Sequence, residues 1–327
     1  MKVLITGCSG QDGSILAELL IKAGHEVYGM IRRSSTPNYW RLEHIRDQIR
    51  LVMGDMCDYS SLCHIVRAVQ PELVFNCAAM SFVGASWSQP EVTTDITGTG
   101  VLRLLEAVRQ YAPQDCRFLQ FSSSEMWGKV LEIPQTEKTP FNPQSPYAVA
   151  KTYAHYINIC YRRSYNMHAS SIICLNHESD KRGDEFVTQK IAKGAARIRL
   201  SLEANIEPEP LRLGNLKAKR DWSHARDICR GAILAILYPE PRDWVLASGQ
   251  TRSVEEFCHY AFSAADIPDW RKYVVVDEGL FRPAEVDVLL GDATKAMREL
   301  GWKPEISFEE LVEEMVQSAL DFYRGNE

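Results

Sequence analysis

Four residues carry the chemistry this chain is equipped for: Ser123 and Glu125 inside Ser122-Ser123-Ser124-Glu125, and Tyr147 and Lys151 inside Tyr147-Ala148-Val149-Ala150-Lys151. The four-residue spacing of Tyr147 and Lys151 puts both side chains on one face of a helix, a turn apart. A phenol loses its proton near pH ~10, and an ammonium about 5 Å away at an effective dielectric of ~20 favours the phenolate by roughly 3 kcal/mol, or about two pKa units. Such a tyrosine is a general base for a carbinol that is giving up hydride. A half-buried tyrosine and an exposed lysine on any amphipathic helix share this spacing, so the pair gains meaning only beside a cofactor motif. Glu125 adds a carboxylate that simple dehydrogenation does not need and elimination of water does.

A cofactor motif opens the chain. Residues 1–6 read as a short buried strand and residues 14–23 as a helix, with Gly7, Gly10 and Gly13 in the turn between them and Gln11 and Asp12 at the helix start. There Gly7 permits the tight turn, Gly10 lets backbone approach a pyrophosphate, and Gly13 lets helix and strand pack closely, with the helix N-terminus facing the anion. The expected second strand, 25–31, runs into Arg32-Arg33-Ser34-Ser35, where an acidic residue would suit a ribose 2′-hydroxyl. The two arginines, Arg32 and Arg33, favour a 2′-phosphate instead, with Arg32 and Ser34 expected to bind it, so the expected cofactor is NADP. After a third strand, Asp55 and Met56 are placed to seat the adenine. After a fourth, the small residues Cys77, Ala78, Ala79 and Ser81 let a cofactor pass close to backbone. Residues of these types also serve ordinary turns.

These motifs need strands to present them. Strand and helix patterns alternate to about residue 175, with further strands expected at 50–54, 73–77, 116–122 and 168–175. That implies an α/β fold built on a doubly wound, parallel, Rossmann-type sheet. Beyond it, helices are expected at 186–200, 225–237, 254–265 and 308–323, and short strands near Leu211 and Tyr273. A loop is expected over 203–210, because Glu207-Pro208-Glu209-Pro210 cannot continue a helix. The expected division is a dinucleotide-binding domain, 1–176 with about 214–248, and a smaller, mostly helical C-terminal substrate domain, 177–213 with 249–327.

At 327 residues the chain is long enough for a large core, and its formal net charge of −6 supplies no basic field for nucleic acid. Nine cysteines are scattered without C-x-x-C or zinc-ligand spacing, so neither a disulfide framework nor a metal site is expected. They read as small buried hydrophobes in a reducing cytoplasm. The N-terminal apolar run breaks at Thr6-Gly7 and no other approaches ~18 residues, so neither a signal peptide nor a membrane span is expected.

In order along the chain, Thr6-Gly7-x-x-Gly10-Gln11-Asp12-Gly13, Arg32-Arg33-Ser34-Ser35, Ala78-Ala79-Met80-Ser81-Phe82-Val83-Gly84, Ser145-Pro146-Tyr147, Lys151, Asn176-His177-Glu178-Ser179, Arg220-Asp221-Trp222, Arg282-Pro283-Ala284-Glu285 and Gly301-Trp302-Lys303-Pro304 resemble the GDP-mannose 4,6-dehydratase family. The resemblance covers nearly the whole chain and places it among the extended short-chain dehydrogenases/reductases. It implies that Tyr147 takes the proton from the sugar O4, that Lys151 holds the nicotinamide ribose, and that Glu125 removes the C5 proton and assists loss of the C6 hydroxyl. Ser123 matches a family threonine at the O4 region, with the hydroxyl kept. His177 and Arg182 match cofactor contacts. Ser81, Ser123, Glu125, Asn176, Val187, Lys190, Gly214, Arg220, Arg282 and Glu285 match the nucleotide-sugar site, where arginines suit a diphosphate. The resemblance also implies a homotetramer or homodimer, with the Arg32-Arg33-Ser34-Ser35 loop reaching toward a neighbour's cofactor.

The chain departs from the family at Phe82, where many members have histidine, at Asp180-Lys181, where proline is common, and at Ser223, where glycine usually follows the tryptophan. Residues 205–210 read as a short insertion beside the nucleobase segment that ends in Gly214 and Asn215. Another GDP-sugar, such as a GDP-heptose, would suit the same chemistry. Two other functions use part of this residue set: a 4-keto-sugar reductase or 4-epimerase, which needs Tyr147 and Lys151 but no C5 base, and a non-catalytic NADP-binding regulator, which keeps only the glycines.

Overall fold

The structure, a computed structural model, describes residues 1–281 and 288–325. Arg282 and Glu285 lie outside the described residues. In chain order the strands are β1 (Lys2–Thr6), β2 (Glu26–Ile31), β3 (Arg50–Met53), β4 (Leu73–Asn76), β5 (Arg117–Ser123), β6 (His168–Cys174), β7 (Asn176–Glu178), β8 (Leu211–Leu213), β9 (Lys219–His224), β10 (Asp243–Leu246), β11 (Thr251–Ser253) and β12 (Val274–Val276).

Seven of these strands form one parallel sheet in the order β10-β6-β5-β4-β1-β2-β3. The chain builds outward from β1 through β2 to β3, then returns to lay β4 on the other side of β1. The strand order reverses there, which opens a crevice beyond the C-terminal ends of β1 and β4. Both faces of the sheet are covered, so central strands such as β1 and β4 are almost continuously apolar and buried. Helices Gln11–Lys22 and Ala225–Leu237 pack on one face through Ile15, Leu16, Ile228 and Ala232. Helices Tyr59–Val69, Gly100–Tyr111 and Pro146–Ser164 cover the other through Leu62, Val101, Leu104 and Ala154.

A second core lies among helices Val187–Glu203, Val254–Ala264 and Phe308–Arg324, filled by Ile191, Phe257, Phe262, Leu311 and Met315 around Trp222. Two of these helices start at Ser253 and Ser307, each closing a reciprocal capping box with the glutamate three residues on, Glu256 and Glu310. A small sheet joins this region to the first, with β7 paired to β9 in parallel and β9 to β11 antiparallel, while β8 pairs with β12 in parallel within the second core.

The expected strands and helices are present to within a few residues at their ends, and 204–210 is irregular. The expectation missed β10, which completes the sheet edge beside β6, because its four residues follow Pro239 and Pro241 and show no alternation. The cysteines need a correction. Cys8, Cys116, Cys174, Cys229 and Cys258 are buried, but Cys57 and Cys160 are exposed, and all nine are free thiols. Among the described residues no helix is long and apolar enough to cross a membrane.

Candidate functional site

The floor of the crevice is a ladder of buried polar side chains across three strands. The Thr6 hydroxyl donates to Asn76 Oδ1 at 2.5 Å, and Asn76 Nδ2 donates to Gln120 Oε1 at 2.7 Å. Gln120 Nε2 donates to the Phe121 carbonyl at 2.9 Å. All three side chains are fully buried, so each bond fixes strand ends that would otherwise carry unpaired polar groups. The Ala78 N–H donates to Thr6 Oγ1 at 3.2 Å, which ties the small-residue segment after β4 to the same ladder.

On this floor sits a cleft of about 390 Å³. Gly7, Gly10, Gln11, Asp12, Gly13, Cys77, Ala78, Ala79 and Ser81 line one part of it, and Ser123, Glu125, Tyr147, Lys151, Asn176, His177 and Arg182 the rest. Gly7 has φ +64°, and a Cβ there would meet Ala78 backbone at 2.9 Å. A Cβ at Gly13 would meet the Gly7 carbonyl at 2.5 Å. The turn thus needs glycine for its conformation and its close packing, and it aims the first N–H groups of Gln11–Lys22 into the cleft. Bare backbone, a helix N-terminus and flanking small residues fit the pyrophosphate of a dinucleotide.

Helix Pro146–Ser164 delivers the tyrosine and lysine. Ser145 caps it by accepting from the Ala148 N–H at 3.1 Å, and Pro146 takes the first helical position, where no donor is needed. Both side chains are buried, with the Lys151 Nζ 5.9 Å from the Tyr147 ring centroid and donating to the Phe121 carbonyl at 2.6 Å. Ser123, at the end of β5, caps the turn Ser124–Met126 by accepting from the Glu125 N–H at 3.2 Å and is hydrogen-bonded to Tyr147. Met126 and Trp127, both fully buried, anchor that turn and so hold Glu125 at the cleft wall.

The electrostatics correct one expectation. Burial pushes the Tyr147 phenol up, the Ser123 hydrogen bond opposes this, and the Glu125 charge adds to the rise. Desolvation of the phenolate therefore outweighs the help expected from Lys151. Burial also lowers Lys151, to about 8. Opposite them, the His177 Nε2 lies 3.1 Å from Asp12 Oδ2, and its Nδ1 lies 2.8 Å from the Leu175 carbonyl. Burial works against both charges, yet their mutual attraction raises His177 and holds Asp12 at about 2. Gln11 completes the clasp, donating to the His177 carbonyl at 3.1 Å and accepting from Ser179 Oγ at 3.1 Å.

A second cleft of about 430 Å³ adjoins the first, and Phe82, Asn176 and Phe186 line both. Its walls include Val187, Lys190, Gly214 and Arg220, four of the residues expected at a nucleotide-sugar site. Asn215, at the end of the expected nucleobase segment, lines it too, as do Trp222, Phe281 and the buried carboxylate of Glu178, which were not singled out as site residues. Periodicity cannot single out such residues, because an aromatic at a wall and one in a core follow the same pattern.

Arg32, Ser34, Asp55 and Met56 do not line either cleft. Arg32 and Ser34 are exposed just beyond the C-terminal end of β2. Asp55 accepts from the Cys57 N–H in a turn after β3, and Met56 is buried in the core beside Gly100. Burial pushes the Cys77 and Cys174 thiols at the cleft wall well up. No cluster of His, Cys, Asp or Glu suited to a metal ion occurs among the described residues.

Known proteins resemble this chain in sequence and in fold. The family model described as GDP-mannose 4,6 dehydratase matches residues 4–315. A GDP-mannose 4,6-dehydratase of Sinorhizobium fredii is 45% identical over 346 residues, spanning 98% of this chain and 97% of its own. The Homo sapiens GDP-mannose 4,6 dehydratase is 42% identical over 348 residues, spanning 99% and 92%. Among solved structures, the UDP-glucose 4-epimerase of Thermotoga maritima with UDP-glucose superposes with a TM-score of 0.85 at 22% identity over 100% of both chains. A dTDP-glucose 4,6-dehydratase of Streptomyces venezuelae with NAD and TYD bound gives 0.85 at 24% identity, over 100% and 98%. These two share the fold; the match to the family model and the near full-length identity to curated relatives go further, and the chain belongs to the GDP-mannose 4,6-dehydratase family.

Proposed function

We propose that this protein is an NADP-dependent lyase that converts GDP-mannose to GDP-4-keto-6-deoxymannose. The observation that carries the reading is Glu125 on the same cleft wall as Ser123, Tyr147 and Lys151, next to a second cleft able to take a nucleotide. Bound NADP supplies a reversible store for the hydride taken from C4 and given back at C6. Tyr147 would accept the O4 proton as C4 is oxidised, its phenolate favoured against burial by Lys151 and by the positive charge of a bound oxidised nicotinamide, and Ser123, hydrogen-bonded to it, orients the hydroxyl. Lys151, held by the Phe121 carbonyl, would hold the nicotinamide ribose of the bound cofactor. The C4 ketone makes the C5 proton acidic, so Glu125 can remove it and deliver a proton to the departing C6 hydroxyl. The C4 hydrogen ends at C6, the C5 proton leaves with the C6 hydroxyl as water, and the O4 proton replaces the one lost at C5. No net redox occurs.

In the proposed division, residues 177–213 and 249–327 form the substrate domain and contribute Val187 and Lys190 to the nucleotide-sugar wall, the dinucleotide-binding part contributes Asn176, Gly214 and Arg220, and Arg282 and Glu285 are proposed to join them. The Arg32-Arg33-Ser34-Ser35 run at the end of β2 supports NADP over NAD. Titration should show NADP held more tightly than NAD, and equal affinity would remove the 2′-phosphate assignment. We place the enzyme in the cytoplasm as a homodimer or homotetramer, which light scattering in solution decides. A 4-epimerase or 4-keto reductase would have no use for Glu125. Incubation with GDP-mannose and catalytic NADP should yield, by mass spectrometry, a product lighter by one water. Unchanged GDP-mannose beside a dehydrated product from another GDP-sugar would move the substrate and leave the mechanism.

A further inference from the structure

Phe82 and Phe186 are the aromatic residues common to both cleft walls. Their rings meet edge to face at 5.7 Å and 79°. Each is braced from behind. The Phe82 ring lies against Gly84, where a Cβ would meet Cζ at 2.9 Å and Cε1 at 3.0 Å. The Phe186 ring carries the Arg182 guanidinium 3.5 Å from its centroid, and Arg182 Nε is 2.9 Å from Glu178 Oε2. Glu178 in turn accepts from the Thr188 hydroxyl at 2.8 Å. The column Gly84, Phe82, Phe186, Arg182, Glu178 therefore spans the boundary between the clefts as a packed unit.

Resting on the dehydratase reading, we propose that Phe82 and Phe186 form an apolar throat that holds the C1–C2 end of the hexose and selects its C2 epimer. The geometry of a pyranose leads there. C1 and C4 lie at opposite ends of the ring. With C4 at Tyr147 in the first cleft and the diphosphate on C1 leading into the second, the C1–C2 end must cross the shared wall. The two rings pack against sugar C–H groups and offer a hydroxyl no partner, whereas Asn176, the polar residue that also lines both clefts, has a buried side-chain oxygen free to accept one. The throat therefore favours the epimer whose C2 hydroxyl faces Asn176 and disfavours the one whose C2 hydroxyl is aimed at the rings. For an enzyme acting on GDP-mannose, that is the gluco epimer. Binding energy gained at the throat, away from the reacting carbons, is spent on holding C4 and C5 in line with Tyr147 and Glu125.

Two variants disturb the throat differently. Phe82→Ala removes one ring, and Gly84→Ala leaves the ring but pushes it off its seat. The readouts are kcat/KM for GDP-mannose and for GDP-glucose, and the Kd of GDP and of GDP-mannose in the NADP-loaded enzyme. Both variants should lose about tenfold in kcat/KM for GDP-mannose, with the Kd of GDP held within about twofold and a smaller preference for GDP-mannose over GDP-glucose. An unchanged kcat/KM would overturn the proposal, as would an equal loss of GDP affinity, which would make the column a wall of the nucleotide cleft alone. A wild-type enzyme that leaves GDP-mannose unreacted would sink the dehydratase reading by itself. The throat would then be tested by the affinity gap between GDP-mannose and GDP, which both variants should narrow and which would stay unchanged were the proposal wrong.

Discussion

At the scale of single residues, the assignment turns on Glu125. Glu125→Gln keeps the size and hydrogen-bonding capacity of the side chain but removes the base, so nucleotide binding should persist while 6-deoxy product falls by about 10²–10⁴-fold. Full turnover in that variant would leave no reason to call the protein a dehydratase. Tyr147→Phe should prevent the first oxidation, seen as loss of the absorbance of bound NADPH after mixing with substrate. The Asp12–His177 pair makes a pH prediction. His177 is raised above its ordinary 6.5, so its stabilisation is fully present below 6.5 and is lost as pH rises through the higher folded value. Asp12 is depressed from 3.8 to about 2, so its contribution is present above 3.8 and is lost as pH falls through about 2. NMR titration of His177 should give a midpoint above 6.5, and Asp12→Asn should bring it below, since burial and the Arg182 charge would then outweigh the hydrogen bond to the Leu175 carbonyl. The types and spacing of Glu125, Tyr147 and Lys151 were legible because their chemistry is peculiar to them. The rise of the Tyr147 phenol was not, because spacing along a helix says nothing of how much water the fold removes.

At the scale of elements, what positions the site is the polar ladder Thr6, Asn76 and Gln120 beneath it. Asn76→Ala would leave the Thr6 hydroxyl and Gln120 Oε1 buried without this partner, at a cost of about 3 kcal/mol in unfolding free energy. Urea denaturation checks this, and a loss within about 0.5 kcal/mol would mean that the ladder is replaceable. Elements with a strong local signature could be read directly: the glycine turn into Gln11–Lys22 and the helical spacing of Tyr147 and Lys151. The ladder could not, since a Thr, an Asn and a Gln 70 and 44 residues apart meet only through the register of parallel strands. For the same reason β7, β9 and β11 escaped notice: two are three-residue strands, and their pairing is set by tertiary contact.

At the scale of the whole molecule, two hydrophobic cores carry two adjoining clefts, one suited to a dinucleotide and the reacting carbons and the other to the nucleotide of the substrate. The alternating pattern before residue 175 announced the first core, and the helical pattern after it the second. Where the clefts join was not announced, because Phe82 and Phe186 are 104 residues apart and meet only in the fold. In the proposed mechanism the joining of the clefts is what allows internal redox: the hydride leaves C4 and returns to C6 of the same sugar, held in place throughout. GDP-mannose carrying deuterium at C4, turned over with catalytic NADP, tests this most directly. The account predicts deuterium in the C6 methyl group of the product, with cofactor unchanged at the end. Deuterium retained at C4, or released in stoichiometric reduced cofactor, would contradict it.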